Sequence, residues 1–229
     1  MTSGLLEALF HGRLPRLVMF DLDGTLLDSA PDLAVAVDAM LVQLGRPPAG
    51  LSKVRLWIGN GARVLVRRAL ADSMDHHAVS ERETEMALAL FMSIYGGSHA
   101  LTEVYSGVSE GLAALEEKRI AMAVITNKPE RFVAPLLDDM GLGRFFSWII
   151  GGDTLPQQKP DPAGLLYVMQ KAGVEAEAAL FVGDSRNDVR AARAAGVRCV
   201  AMTYGYNHGQ PIANESPDML LDDLRQLLS

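Results

Sequence analysis

Four short clusters in this chain carry side chains able to do chemistry together. Phe20-Asp21-Leu22-Asp23-Gly24-Thr25 places two carboxylates two residues apart with a glycine behind them. In an extended segment such a pair faces opposite ways, so the glycine is what lets both approach one place. Thr126-Asn127-Lys128 offers a hydroxyl, an amide and an ammonium. Lys159-Pro160-Asp161 adds a second ammonium, and Gly183-Asp184-Ser185-Arg186-Asn187-Asp188 adds two more carboxylates. Carboxylates, a hydroxyl and an ammonium brought to one rim could act together on a bound ligand, and their joint placement has no comparably simple structural explanation. Any one cluster alone is an ordinary turn or helix cap, the role expected of Asp161 and Ser185.

What joins them is the order of elements. Leu17–Phe20, Ala121–Ile125, Trp148–Ile150, Ala179–Val182 and Val197–Met202 are short, continuous apolar runs, the pattern of strands buried on both faces. Helix-length segments separate the later ones: Gly107–Lys118, Pro129–Met140, Asp161 to Gly173, and Ser185–Ala195 closed by Gly196. Strands alternating with helices predict a doubly wound parallel sheet, and each cluster then lies beyond a strand's carboxyl end, where such sheets bind ligands. Residues 31–104 break the alternation. Ser29-Ala30-Pro31 opens a helix that ends at Gly45, Asn60 or Gly61 opens a second, and Ser80-x-x-Glu83 is a capping box for a third. No strand-like run lies between them, so 31–104 reads as an inserted all-helical cap. The α/β core is then 1–30 and 105–229, with residues 1–15 as a leader to which no function attaches.

Composition narrows the setting. The chain has 229 residues, 49% hydrophobic and 21% charged, with a net charge of −7. That acidity excludes nucleic acid or an anionic membrane held by bulk charge. Nothing reaches the length of a bilayer span, and Met1–Arg16 does not read as a signal peptide, which leaves the cytoplasm as the expected compartment. The lone cysteine, Cys199, sits in an apolar run and reads as a buried structural thiol.

Asp-x-Asp-Gly-Thr, Thr-Asn, Lys-Pro and Gly-Asp-x-x-x-Asp, in that order from Leu17 to Met202, resemble the haloacid dehalogenase superfamily. Phe-Asp-Leu-Asp-Gly-Thr-Leu-Leu-Asp-Ser, Trp-Ile-Gly-Asn-Gly-Ala, Thr-Asn-Lys-Pro and Tyr-Gly-Tyr-Asn are similar to bacterial phosphoglycolate phosphatases within it. The resemblance implies a Rossmann-like core with a helical lid, and a small phosphate monoester as substrate. Asp21 would be the nucleophile that becomes an aspartyl-phosphate, and Asp23 the acid and then the base. Mg²⁺ would sit on Asp21, the Asp23 backbone carbonyl and Asp184, with Asp188 and Asn187 behind them. Thr126 and Asn127 would hold phosphate oxygens and Lys159 would neutralise charge.

In the lid, Lys53 to Arg68 is basic, and Gly59-Asn60-Gly61 leads into a helix whose amide end suits an anion. Asn60, Gly61 and Arg63 are therefore candidate contacts for a substrate carboxylate. His208 could reach the site mouth, whereas His76-His77 read as a loop pair. Rival readings are another small-molecule or sugar-phosphate phosphatase, a phosphosugar mutase, and a non-catalytic binding module. Dehalogenases and phosphonate hydrolases fit less well, because those relatives lack an acid at the position of Asp23. A monomer or a small homo-oligomer is expected.

Overall fold

The computed structural model describes residues 4–96 and 99–228. Of the leader, Met1–Ser3 lie outside the described residues, as do Gly97 and Ser98 of the helical insertion. In chain order the elements are α1 (Leu5–Leu9), β1 (Leu17–Phe20), β2 (Leu27–Asp28), α2 (Ala30–Gln43), α3 (Leu51–Trp57), α4 (Gly61–Ala71) and α5 (Glu81–Tyr95). There follow β3 (Glu103–Val104), α6 (Val108–Glu117), β4 (Ala121–Ile125), α7 (Val133–Asp139), β5 (Trp148–Ile150) and α8 (Ala163–Ala172). The chain finishes with β6 (Ala179–Gly183), α9 (Arg186–Ala195), β7 (Arg198–Met202) and β8 (Met219–Leu221).

Six strands form one parallel sheet in the order β5-β4-β1-β6-β7-β8. β1 is central, with Leu17 opposite both Ala121 and Ala179, and Phe20 opposite both Val124 and Val182. Its four residues are fully buried, and they divide by the period of a strand. Val18 and Phe20 join an apolar layer with α6, α7 and the C-terminal turn, while Leu17 and Met19 join another with α8 and α9. The run is unbroken in hydrophobicity because both faces are covered.

The leader belongs to the first layer. Leu6 and Phe10 are buried there, against the same face that receives Leu224 and Leu227. Its role in the fold is to close that layer.

Residues Ala30 to Tyr95 supply four helices, α2 to α5, with an apolar cluster of their own around Val37, Met40, Trp57, Val66 and Phe91. Phe132 and Tyr206 reach into it from the sheet side. β2 and β3 pair antiparallel, Leu27 with Val104 and Asp28 with Glu103, so the chain leaves and re-enters the α/β core through one short ribbon. Sequence spacing predicts three helices here, and α3 is the one it misses. The capping signals hold: the Ser80 hydroxyl accepts the Glu83 N–H at 3.2 Å, and Ser185 with Asp188 forms a full capping box on α9.

Candidate active site

The carboxyl ends of β1, β4 and β6 meet at the centre of the sheet, where the strand order reverses. Asp21 is the first residue past β1, and its N–H still donates to the Val182 carbonyl at 2.9 Å, continuing the ladder. Its carboxylate accepts the Leu22 N–H at 2.7 Å and faces the Lys159 ammonium at 2.9 Å. The chain then turns at Gly24, whose φ of +93° is open to glycine alone at little cost. A Cβ there would run into the Asp184 carboxylate, so the glycine also permits the approach of two loops.

Asp21, Asp184 and Asp188 are buried and bring carboxylate oxygens within 4.8 Å of one another. Asp188 is committed to the protein. One oxygen takes Lys159 at 2.7 Å, and the other takes the Ser185 N–H at 2.9 Å and its hydroxyl at 2.7 Å. Asp184 accepts from the Thr25 hydroxyl and the Tyr206 N–H, both at 2.6 Å. Burial pushes Asp21 up to about 7, Lys159 pulls it back, and Asp188 adds repulsion. Asp184 is likewise raised well above the usual carboxylate range, by burial first and then by Asp188 and Asp21. Burial works against the charge on Lys159, but Asp188 and Asp21 outweigh it and hold the ammonium above its ordinary value.

Asp21 and Asp188 thus share one ammonium while Asp184 has none, and the surplus negative charge is what a divalent cation would cancel. The donors are all oxygen, which suits a hard ion. The site fits a metal, and Asp188 fits the part of holding the other groups in place.

A small cavity opens beside this cluster, lined by Asp21, Asp23, Thr126, Asn127 and Lys128 from the loops, by Gly59 from the turn before α4, and by Gly61 and Ala62 of α4. Its free interior is about 40 Å³, room for a few waters. The helices are drawn onto the loops around it. The Gly59 carbonyl accepts the side-chain amides of Asn127 and Asn187, each at 3.0 Å, and the Leu56 carbonyl lies 2.8 Å from His208 Nδ1.

The sequence candidates fare unequally. Asp21, Asp23, Thr126, Asn127 and Gly61 line the cavity, with Lys159, Asp184 and Asp188 directly behind it. Asn187, expected behind the metal ligands, donates its amide to the Gly59 carbonyl and so clamps the layers together. The Asn60 carbonyl accepts from Gln158 at 3.3 Å, and its side chain is not among the lining groups. Arg63 requires a correction. It is exposed and paired with Glu81 and with Glu85 on α5, so its charge is turned from the cavity. The rest of the basic run is also engaged: Lys53 with Asp72, Arg55 with Asp28, Arg67 with Glu81, and Arg68 with the Trp57 carbonyl.

Sequence reasoning gave Lys128 no role, although it stands next to Asn127. Its Nζ lies 3.0 Å from Asp23 Oδ1 and 2.6 Å from the Tyr95 hydroxyl. Ser29, which caps nothing through its side chain, donates its hydroxyl to Asp23 instead. The signal for Lys128 was a lysine at a strand's carboxyl end, inside a motif already singled out.

A parallel sheet whose carboxyl edge gathers these groups where the strand order reverses is a doubly wound α/β fold with its candidate site in the usual place. The sequence profile of haloacid dehalogenase-like hydrolases matches residues 18–202, and the chain belongs to that family. It is 71% identical, over 97% of its length and 82% of the relative's, to "Phosphoglycolate phosphatase 1" of Pseudomonas aeruginosa. It is 67% identical, with the same coverage, to "Phosphoglycolate phosphatase" of Pseudomonas putida. Among solved structures, a predicted phosphoglycolate phosphatase from Haemophilus somnus superposes with a TM-score of 0.85 at 40% identity. That match covers 93% of this chain and 96% of the other.

Proposed function

We propose that the protein is a Mg²⁺-dependent phosphatase that hydrolyses 2-phosphoglycolate to glycolate and phosphate through an aspartyl-phosphate on Asp21. The observation that carries this reading is that Asp21, Asp23 and Thr126 line one small cavity with Lys159 2.9 Å behind Asp21. Identities of 71% and 67% to relatives named for that activity support the choice of substrate.

In the first half-reaction an Asp21 oxygen attacks phosphorus, the bond to the ester oxygen breaks, and Asp23 gives that oxygen its proton. In the second, Asp23 takes a proton from water as the water attacks phosphorus, and the Asp21 carboxylate leaves. Thr126 and the Asn127 backbone amide hold phosphate oxygens, and Lys159 offsets the charge that builds on them. Asp188 keeps Lys159 in place through the 2.7 Å bond. Mg²⁺ on Asp21, Asp184 and the Asp23 carbonyl would supply the positive charge that lets an anionic nucleophile meet an anionic phosphate.

The helices of 31–104 act as a lid over the core of 1–30 and 105–229. An interior of about 40 Å³ admits a compact ester only as they lift, and excludes bulk water once they close. Gly61 and Ala62, at the amide end of α4, line that interior and suit an anion. Among the described residues no helix is long and apolar enough to cross a membrane, in keeping with a cytoplasmic enzyme acting on a free small molecule. The test is a panel of small phosphate esters. Phosphoglycolate should lead in kcat/KM, and a tenfold preference for a sugar phosphate, or a requirement for a sugar bisphosphate, would displace this reading.

A further inference from the structure

Lys128 is the charged group of the cavity that the phosphoryl chemistry leaves unused. Among the described residues lining that cavity it is the only cation, facing two carboxylates, Asp21 and Asp23. Its side chain is 2% exposed. Burial alone would pull the ammonium down, yet Asp23 and the Tyr95 hydroxyl outweigh it and hold Lys128 above its ordinary value. An ammonium has three N–H donors. The Asp23 carboxylate and the Tyr95 hydroxyl engage two, and the Tyr95 ring centre lies 4.6 Å from Nζ. Tyr95 is itself fixed by Phe91 stacked at 5.6 Å and by Phe132 edge-on at 5.2 Å. Capacity for one more acceptor remains, on a group that lines the cavity.

Position decides what that acceptor is. Asp23 must touch the ester oxygen to protonate it. In phosphoglycolate a single methylene joins that oxygen to the carboxylate, so the carboxylate falls beside Asp23, where Lys128 stands. Without Lys128 the carboxylate would meet like charge there. Arg63 and the basic run of the helices are engaged elsewhere.

We propose that Lys128 is the specificity-determining residue of this site, its ammonium binding the carboxylate of the leaving group while Tyr95 holds it in place. The proposal rests on the phosphoglycolate reading, and the test separates the two. Lys128→Gln keeps a donor near Asp23 and Tyr95 but removes the charge. Steady-state kcat/KM would be measured for 2-phosphoglycolate and for ethyl phosphate, which has a similarly poor leaving group and no carboxylate. The wild type should prefer phosphoglycolate, and the variant should lose roughly a hundredfold of that preference. Lys128→Arg, which keeps the charge, should recover part of it.

A wild type indifferent to the carboxylate removes the phosphoglycolate reading, and this proposal with it. A wild-type preference that survives in Lys128→Gln overturns the proposal alone. So does an equal loss on both esters, which would make Lys128 only a positioning residue for Asp23. Should the glutamine variant fail to fold, a crystal structure of Asp21→Asn with 2-phosphoglycolate decides the matter with Lys128 intact. The carboxylate is expected within hydrogen-bond distance of Lys128 Nζ, and its placement on the α4 amides or in solvent overturns the proposal.

Discussion

Replacing Asp21 by asparagine should stabilise the metal-free protein while destroying its activity. An Asp in the unfolded chain titrates near 3.8, and Asp21 in the fold near 7, raised by burial against the pull of Lys159. The folded state therefore holds an extra proton between those values, and stability falls as pH rises through that window. The shift of about 3 units, at 1.36 kcal/mol each, sets a ceiling of about 4 kcal/mol on the strain stored above pH 7. Asparagine is the neutral shape of the same group, and Lys159 keeps Asp188 as a partner at 2.7 Å. Recovery of even half the ceiling would raise Tm by about 4–8 °C for a chain of this length. Thermal unfolding with a chelator at about pH 8 and pH 5 measures it, and the gain should be larger at the higher pH. With Mg²⁺ added the wild type should recover more stability than the variant. An Asp21→Asn protein less stable than wild type at pH 8 without metal, or a gain that does not shrink on acidification, would refute the electrostatic account of the site.

The same electrostatics govern metal affinity: Mg²⁺ must displace the protons that burial holds on Asp21 and Asp184, so calorimetric affinity should climb as pH rises through the range in which both ionise. Proton release, read from buffers of different ionisation enthalpy, should shrink over the same rise, and Asp184→Ala should raise the Mg²⁺ requirement sharply. In Asp23→Asn, ethyl phosphate should suffer far more than p-nitrophenyl phosphate, whose leaving group needs no proton; equal losses would remove the acid role. Arg63→Ala should leave substrate preference intact and cost no more than about 1 kcal/mol, since its ion pairs are exposed. A preference that collapses in that variant would return Arg63 to the site.

Most of the core was legible because its signals are local. Continuous apolar runs such as Leu17–Phe20 mark strands covered on both sides, and punctuation such as Ser185 and Gly196 marks helix ends. Four loops carrying chemistry then fell on one sheet edge by topology alone. The pieces that were missed depend on contacts made across the chain. β2 and β3 are two residues each, too short for periodicity, and exist because Leu27 and Val104 find one another. α3 has seven residues and Gly50 for an N-cap, with no side chain to announce it. β8 is edge-bound and half exposed. The leader's Leu6 and Phe10 matter only because Leu224 and Leu227 meet them at the other end of the sequence. Charge misled in the same way. Arg63 looked available because no acid lies near it in sequence, while Glu81 and Glu85 arrive from the next helix. Lys128 had no role assigned in the sequence because Tyr95 and Asp23, which enclose it, come from distant parts of the chain.

The covalent step on Asp21 is the centre of the account, and it can be caught during turnover. The enzyme, mixed with 2-phosphoglycolate and Mg²⁺, is quenched in acid and reduced with borohydride, which converts an aspartyl-phosphate to homoserine. Peptide mass spectrometry should then find homoserine at position 21 and nowhere else, in an amount that disappears when substrate is exhausted. An unmodified Asp21 during steady turnover, or a phosphoryl group found on another residue, would contradict the mechanism.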